Sequence, residues 1–127
     1  MWAPGMAPQN FMCGIAGLID LQSEIAICPM LESIEHRGRD DHGVWSSNEI
    51  DGQGRKISLG HRRLAIIDTS PSGHEPMLTE DGRYVLTFNG EIYNYKELRQ
   101  QLQSLGHRFR TDSDAEVLLT AFVEWDS

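Results

Sequence analysis

One cysteine in this chain lies directly after a methionine, so removal of that methionine would give the cysteine a free α-amine next to its thiol. Cys13 directly follows Met12 and opens the short apolar run from Gly14 to Asp20. Removal of a methionine before a small residue would leave Cys13 at the amino terminus, with a thiol and an α-amine on one residue. A thiol is a weak nucleophile until a base removes its proton, and an α-amine with a pKa of about 7.7–8.0 can be that base. The pattern indicates nucleophilic chemistry at Cys13; a buried strand cysteine is the structural alternative.

Four further blocks carry residue types that such chemistry needs. Each has a structural explanation when taken alone, because Asn-Gly is a common hairpin turn, Ser-x-x-Glu caps helices, and His-Arg runs occur on exposed turns and strand edges. The blocks are His36-Arg37-Gly38-Arg39-Asp40-Asp41-His42-Gly43, Gly60-His61-Arg62-Arg63-Leu64-Ala65-Ile66-Ile67-Asp68, Asn89-Gly90-Glu91-Ile92-Tyr93-Asn94 and Ser113-Asp114-Ala115-Glu116. Their order along one chain, behind Met12-Cys13-Gly14-Ile15, makes the set specific.

Short apolar runs predict the strands that would position these blocks. We expect a buried strand over 14–20, a hairpin of 44–47 with 57–59 around Asp51-Gly52-Gln53-Gly54, and strands over 64–67 and 84–88. The last of these would end at Asn89-Gly90, and residues 69–76 read as a loop.

Helical spacing and caps predict three helices. The first covers 29–35, with Pro29 in its first turn. The second is capped by Asn94 with Glu97, places Tyr95, Leu98, Leu102 and Leu105 on one face, and is closed by Gly106. The third is capped by Ser113 with Glu116, and its stripe of Leu118, Phe122 and Trp125 is expected to pack in the core.

Composition limits the function classes. A chain of 127 residues with 39% apolar and 24% charged residues has the length and balance of one folded domain. A net charge of −8 argues against a nucleic-acid partner, and no apolar run is long enough for a membrane span. Two cysteines, Cys13 and Cys28, do not make a disulfide framework, so we expect reduced thiols, Cys28 in the core, and a cytoplasmic protein. The histidines lack metal-ligand spacing, which predicts no metal site.

Taken together, the blocks resemble the glutaminase domain of class II glutamine amidotransferases, which use an amino-terminal cysteine nucleophile. Within that class the chain looks most like the glutamine-hydrolysing asparagine synthetases, over residues 12–127. Gly73-His74-Glu75-Pro76-Met77 also matches their pattern. One departure is Arg39, which stands where that family commonly has Pro.

The resemblance implies a role for each matching residue. Cys13 would be the nucleophile, with its α-amine as base, and Asn89 and Gly90 would form the oxyanion hole. Arg63 would pair with the carboxylate of L-glutamine and Asp114 with its ammonium group, with Glu91 at the same end of the substrate. Leu64, Ala65, Ile66 and Ile67 match the segment that lines the pocket.

The resemblance also implies an α+β fold, the four-layer αββα sandwich of amino-terminal nucleophile hydrolases, incomplete at its carboxyl end in this chain. Residues 1–12 would be a removed or misassigned extension and 13–127 a partial glutaminase domain. No cofactor is expected in this chain, whereas ATP and Mg²⁺ would serve a synthetase domain that follows it. The complete protein could form a homodimer, and we expect the 127-residue chain alone to be inactive or poorly soluble.

Three other interpretations remain open. A related enzyme could amidate an acceptor other than aspartate, and the glutaminase residues would not distinguish it. Other class II branches make glucosamine 6-phosphate or phosphoribosylamine, but the blocks around Arg63 and Asn89 look unlike theirs. A third interpretation is a catalytically silent interaction module, which an internal Cys13 would favour.

Overall fold

A three-stranded antiparallel sheet carries the cysteine at its edge. The computed structural model describes residues 13–64 and 73–126. Strand β1 (Gly14–Asp20) and strand β2 (Asp41–Ser46) both pair with β3 (Lys56–Arg63), which lies between them. Gly14 lies opposite Arg62 and Asp41 opposite Arg63, so the start of β1 and the start of β2 flank the end of β3. The predicted hairpin around residues 51–54 is confirmed as the β2–β3 connection.

Helix α1 (Ser23–Ser33) covers one face of this sheet and contains Pro29 in its interior. The predicted helix of 29–35 is therefore wrong at both ends. Ile27 and Leu31, one helical turn apart, are buried against the sheet, and this burial outweighs the hydrogen bond that Pro29 cannot donate. Gly60 of β3 allows the close approach, since a Cβ there would lie 2.8 Å from a methyl carbon of Leu31.

The opposite face of β1 is open among the described residues. The strand predicted for 14–20 is present, but Ile15 and Ile19 are 48% and 56% exposed, so the expectation that it is buried is wrong for this face. Cys28 is also exposed rather than in the core, because it lies on the outer side of α1. A helix buries only the stripe that faces its partner, and Ile27 and Leu31 form that stripe.

A second group of elements is formed by residues 73–126. Strands β4 (Met77–Leu78) and β5 (Val85–Leu86) form a short antiparallel pair, followed by α2 (Tyr95–Ser104) and α3 (Asp114–Trp125). The strand predicted for 84–88 is shorter than expected, because both main-chain groups of Phe88 bond to side chains and not to a neighbouring strand. The predicted segment 64–67 is only described at Leu64, which follows β3.

The cores of α2 and α3 differ in part from the predicted stripes. Leu102 is fully buried, whereas Leu105 is 55% exposed. In α3 the buried cluster is formed by Ala115 and Leu119 with Met77, while Phe122 and Trp125 are each half exposed. The expectation that Phe122 and Trp125 lie in the core is therefore wrong, since α3 turns the face of Ala115 and Leu119 toward the β4–β5 pair.

The predicted helix caps are confirmed at two of three places. Ser113 accepts a hydrogen bond from the Glu116 amide at the start of α3. After α2, Gly106 has a φ of +99°, and the His107 amide donates to the Leu102 carbonyl oxygen, as in a glycine-terminated helix. Asn94 makes no side-chain cap bond. The described residues therefore form a small α+β fold with three α-helices and two sheets.

Candidate active site

The thiol of Cys13 lies against the main chain at the end of β3. The Leu64 amide donates to Cys13 Sγ over 3.2 Å, and Sγ lies 3.5 Å from the Leu64 carbonyl oxygen, to which it can donate in turn. The register of β1 on β3 causes this contact. Gly14 is opposite Arg62 in this antiparallel pair, so Cys13, which precedes Gly14, lies beside the residues that follow Arg62. Cys13 is half-buried, so its thiol borders both the protein interior and the solvent.

The surroundings keep this thiol protonated. Burial raises the pKa of Cys13 above its ordinary value, and the carboxylate of Glu75 raises it further. The hydrogen bond from Leu64 and the positive charge of Arg63 act in the opposite direction without cancelling the rise. Attack by this sulfur on a substrate would therefore require a base to remove the proton.

The main chain of Cys13 is held by a residue that the sequence analysis placed only in a block. Arg37 Nε donates to the Cys13 carbonyl oxygen over 3.1 Å. Gly38 next to it packs so tightly on β3 that a Cβ would lie 2.6 Å from the carbonyl carbon of Arg62. The block at 36–43 thus joins Cys13 to β3, and the exposed Arg39 takes no part in these contacts.

Arg63 is the last residue of β3 and is only 7% exposed. Its guanidinium lies over the α-carbon of Gly73, where a Cβ would come within 2.9 Å of Arg63 Cζ. The positive charge of Arg63 acts on both Cys13 and Glu75. It lowers the pKa of each group, against the larger rise that burial causes. A buried guanidinium beside a nucleophile is suited to bind a substrate carboxylate.

Glu75 is a buried carboxyl group that the sequence analysis did not assign to the site. Its Oε1 accepts a hydrogen bond from the Phe88 amide at 2.7 Å. Burial raises the pKa of Glu75 to about 7, with the nearby Asp114 carboxylate adding to the rise against the Phe88 amide and Arg63. No spacing pattern in the sequence predicts that Glu75 is buried near Cys13, although the block at 73–77 that matched the family pattern contains this residue.

His61 is buried beside Glu75, with its Nε2 3.3 Å from Glu75 Oε2 and 3.0 Å from the Phe88 carbonyl oxygen. Burial lowers the pKa of His61, so the ring is neutral. Its Nδ1 has no hydrogen-bond partner among the described residues. The proton therefore belongs on Nε2, which donates to Phe88, because a buried Nδ1–H would be left unsatisfied.

Asn89 and Gly90 follow this anchored Phe88 directly. The Asn89 side-chain oxygen is buried and has no partner among the described residues, which leaves one unused hydrogen-bond acceptor on this side chain. Gly90 lies on the Phe88 ring, where a Cβ would come within 3.0 Å of the ring carbon Cζ. The main chain at Gly90 is therefore exposed to solvent on one side and packed on the other.

Asp114 is the first residue of α3 and is 7% exposed. Its Oδ2 accepts a hydrogen bond from the Ile92 amide at 3.0 Å, which ties the loop after Asn89 to the helix. Glu91 in this loop is exposed. The neighbouring Glu116 binds the amides of Arg110 and Thr111, so its role is structural.

The structure thus gathers one set of predicted residues and leaves another apart. Cys13, Leu64 and Arg63 meet at the end of β3. Glu75 interacts electrostatically with Cys13, Arg63 and Asp114. It also accepts a hydrogen bond from Phe88, the residue before Asn89 and Gly90. Glu91 makes no hydrogen bond or ion pair within the described part of the chain that brings it to Cys13. The predicted pocket residues Ala65, Ile66 and Ile67 lie outside the described residues.

Two other features concern the described ranges only. Within residues 13–64 and 73–126, no cluster of three or more His, Cys, Asp or Glu side chains could hold a metal ion. None of the helices there has the length and apolar character that crossing a bilayer demands.

Comparison with known proteins places the chain in a family. The sequence model described as "Glutamine amidotransferase domain" matches residues 12–127. The chain is 35% identical over 121 residues to asparagine synthetase [glutamine-hydrolyzing] 3 of Bacillus subtilis, covering 90% of the chain and 18% of that protein. Asparagine synthetase [glutamine-hydrolyzing] 1 of the same species is 40% identical over 87% of the chain and 17% of that protein.

A plant relative gives the same picture. Asparagine synthetase [glutamine-hydrolyzing] 1 of Arabidopsis thaliana is 37% identical over 119 residues, which are 90% of the chain and 19% of that protein. The chain thus spans less than a fifth of the length of these curated relatives. The match over residues 12–127 shows that the chain belongs to the glutamine amidotransferase domain family.

Proposed function

We propose that this chain is the glutaminase portion of a glutamine-hydrolysing asparagine synthetase. The observation that carries the proposal is the contact of Cys13 Sγ with Leu64, which brings a thiol to the end of β3 beside the buried Arg63. A nucleophile next to a cation is the minimum that binding and attack on an amino-acid amide require. The relatives described above are named as glutamine-hydrolysing enzymes, which favours this substrate.

The proposed reaction is acyl transfer through a thioester. The α-amine of Cys13 takes the thiol proton, and the sulfur attacks the side-chain amide carbon of L-glutamine. The tetrahedral adduct breaks its carbon–nitrogen bond, and the nitrogen leaves as ammonia after receiving the proton. Water then attacks the thioester, which releases glutamate and restores the thiol. A base is needed because the pKa of Cys13 is raised by burial.

The other residues would serve the charges that this reaction presents. The Asn89 side-chain amide and the Gly90 N–H would stabilise the developing oxyanion. Arg63 would bind the substrate carboxylate, and Asp114, with Glu91, the ammonium group. Leu64 to Ile67 would line the pocket. Support for the clamp comes from the burial of Arg63 and Asp114, each 7% exposed and each close enough to shift the pKa of Glu75.

For the whole protein we propose the arrangement that the relatives' names suggest. The ammonia would pass to a synthetase domain, where ATP and Mg²⁺ activate aspartate for amidation to asparagine. The glutaminase domain would be a four-layer αββα sandwich, in which a second sheet covers the open face of β1 at Ile15 and Ile19. We place the protein in the cytoplasm, consistent with two cysteines unpaired in the structure.

The test is glutamate release from L-glutamine by the full-length protein, with its amino terminus read by intact mass. We expect activity only where the chain starts at Cys13, and loss of activity in Cys13→Ala. The matched control is Cys28→Ala, which removes an exposed thiol and should keep wild-type turnover. Turnover by a protein that retains Met1 would refute the α-amine as base. Wild-type turnover in Cys13→Ala would refute the proposal.

A further inference from the structure

We infer that His61 and Glu75 act as positioning residues for the oxyanion site by gripping the peptide groups of Phe88 from both sides. The inference rests on the proposed function for its catalytic meaning. Glu75 Oε1 accepts from the Phe88 amide at 2.7 Å, and His61 Nε2 donates to the Phe88 carbonyl oxygen at 3.0 Å. Both side chains belong to segments other than that of Phe88.

The contact from His61 fixes the peptide that matters most for Asn89. The carbonyl carbon of Phe88 is bonded to the Asn89 nitrogen, so holding its oxygen sets the plane from which the Asn89 side chain departs. Holding the Phe88 amide as well fixes both ends of that residue. An oxyanion donor contributes only when it is preorganised at the place where charge develops.

Among residues 13–64 and 73–126, no strand pairs with the segment at Phe88. Strand β5 ends at Leu86, so the ladder hydrogen bonds stop before Phe88. The side chains of His61 and Glu75 therefore replace a strand partner. Both are nearly inaccessible, at 0% and 7% exposure, so solvent cannot easily substitute for either of them.

The His61 ring also lies close to the Glu75 carboxyl group. His61 Nε2 donates to the Phe88 oxygen and also lies 3.3 Å from Glu75 Oε2, so the ring contacts both the peptide and the carboxyl group. The neutral ring carries that proton on Nε2, as the unpartnered Nδ1 within the described part of the chain requires. One buried imidazole thus braces the carboxyl group and the peptide together.

This arrangement predicts an effect on turnover and not on substrate affinity. The groups that would bind glutamine in its ground state, Arg63 and Asp114, do not depend on the Phe88 peptide for a hydrogen bond. Loss of the hydrogen bonds that His61 and Glu75 make with Phe88 would displace the oxyanion donors at Asn89 and Gly90, which are used only in the transition state. A misplacement of about 1 Å can cost about a hundredfold in rate.

The experiment compares Glu75→Leu, Glu75→Gln, His61→Phe and His61→Gln in the full-length protein. We expect kcat to fall about tenfold to a hundredfold in Glu75→Leu and His61→Phe, with KM for glutamine within about twofold of wild type. The two Gln variants keep an acceptor for the Phe88 amide or a donor for its oxygen, so they should recover much of the lost kcat. Glu80→Leu makes the same change as Glu75→Leu at an exposed position and is the matched control.

A second readout does not require activity. Amide hydrogen exchange at Phe88 should be faster in Glu75→Leu and His61→Phe and close to wild type in the Gln variants. If the wild-type protein releases no glutamate, the proposed function fails, and exchange at Phe88 still decides whether the grip exists. Wild-type kcat in Glu75→Leu, a loss expressed only in KM, or unchanged exchange at Phe88 would overturn the inference.

Discussion

Arg37 holds Cys13 through the main chain and not through the thiol. The guanidinium Nε donates to the Cys13 carbonyl oxygen over 3.1 Å, while Leu64 contacts the sulfur. The residue is thus fixed at two points, one at its backbone and one at its side chain. Since the carbonyl and the nitrogen flank the same α-carbon, the contact from Arg37 also limits where the Cys13 nitrogen can lie.

Loss of this backbone contact should slow catalysis more than it destabilises the fold. In Arg37→Gln we expect kcat for glutamine hydrolysis to fall about tenfold or more, because the nucleophile and its base lose a common support. One hydrogen bond contributes about 1 kcal/mol to stability, so urea unfolding should change only slightly. The matched control is Arg39→Gln, an exposed neighbour with no contact to Cys13. Equal losses in both variants would contradict the assignment.

The charge of Glu75 should be visible in the reactivity of Cys13. Burial raises the pKa of the Cys13 thiol and the Glu75 carboxylate raises it further, so removal of that charge in Glu75→Gln should lower the pKa. Alkylation of Cys13 by iodoacetamide, followed by peptide mass spectrometry, should then show its pH midpoint moved to lower pH. The exposed Cys28 provides the internal control, because its alkylation should not differ between the two proteins. A midpoint that moves upward would show that the two groups do not interact in this way.

The same carboxyl group should make stability depend on pH. The pKa of Glu75 is raised from 4.5 to about 7, so the folded state holds this proton more tightly than the unfolded state. The resulting stability is complete below pH 4.5, declines as pH rises, and is lost by about pH 7. A difference of this size corresponds to about 3 kcal/mol.

Glu75→Gln removes the titration and keeps an acceptor for the Phe88 amide. We therefore expect the variant to unfold at higher urea than wild type at pH 8, with a gain of up to about 3 kcal/mol, and to match it at pH 4. Denaturation followed by tryptophan fluorescence at several pH values measures this. Glu80→Gln, at an exposed position, should show no such pH-dependent gain. A constant difference across the range would contradict the pKa shift as its cause.

Local signals predicted those elements whose structure is decided by nearby residues. The hairpin around 51–54, the Ser113 cap and the Gly106 terminus depend on turn and cap chemistry, and all are present. The start of α1 could not be found, because burial of Ile27 and Leu31 against the sheet overrides Pro29. Phe122 and Trp125 follow a helical stripe, but packing against β4 and β5 selected the face of Ala115 and Leu119.

The residues of the candidate site also divide into those that the sequence predicted and those that only the packing of distant segments revealed. The roles of Cys13, Arg63, Asn89, Gly90 and Asp114 were predicted from the resemblance of their blocks, in that order, to the class II glutaminase domain. Glu75 and His61 were not assigned roles, since their contacts with Phe88 arise only when distant segments meet. Arg37 was missed for the same reason, because nothing in its local spacing indicates that its side chain reaches the Cys13 carbonyl oxygen.

The contact between Gly73 and Arg63 should control glutamine affinity. A Cβ at Gly73 would come within 2.9 Å of Arg63 Cζ and closer still to Nη2, so Gly73→Ala must displace the guanidinium. A charge-assisted hydrogen bond is worth about 1.5–3 kcal/mol, so we expect KM for glutamine to rise about tenfold or more. Gly52→Ala is the matched control, because a Cβ there meets nothing within 4 Å among the described residues. If Gly73→Ala binds glutamine as wild type does while Arg63→Ala does not, the guanidinium tolerates displacement and the steric argument is wrong. If neither variant changes KM, Arg63 does not bind the substrate carboxylate.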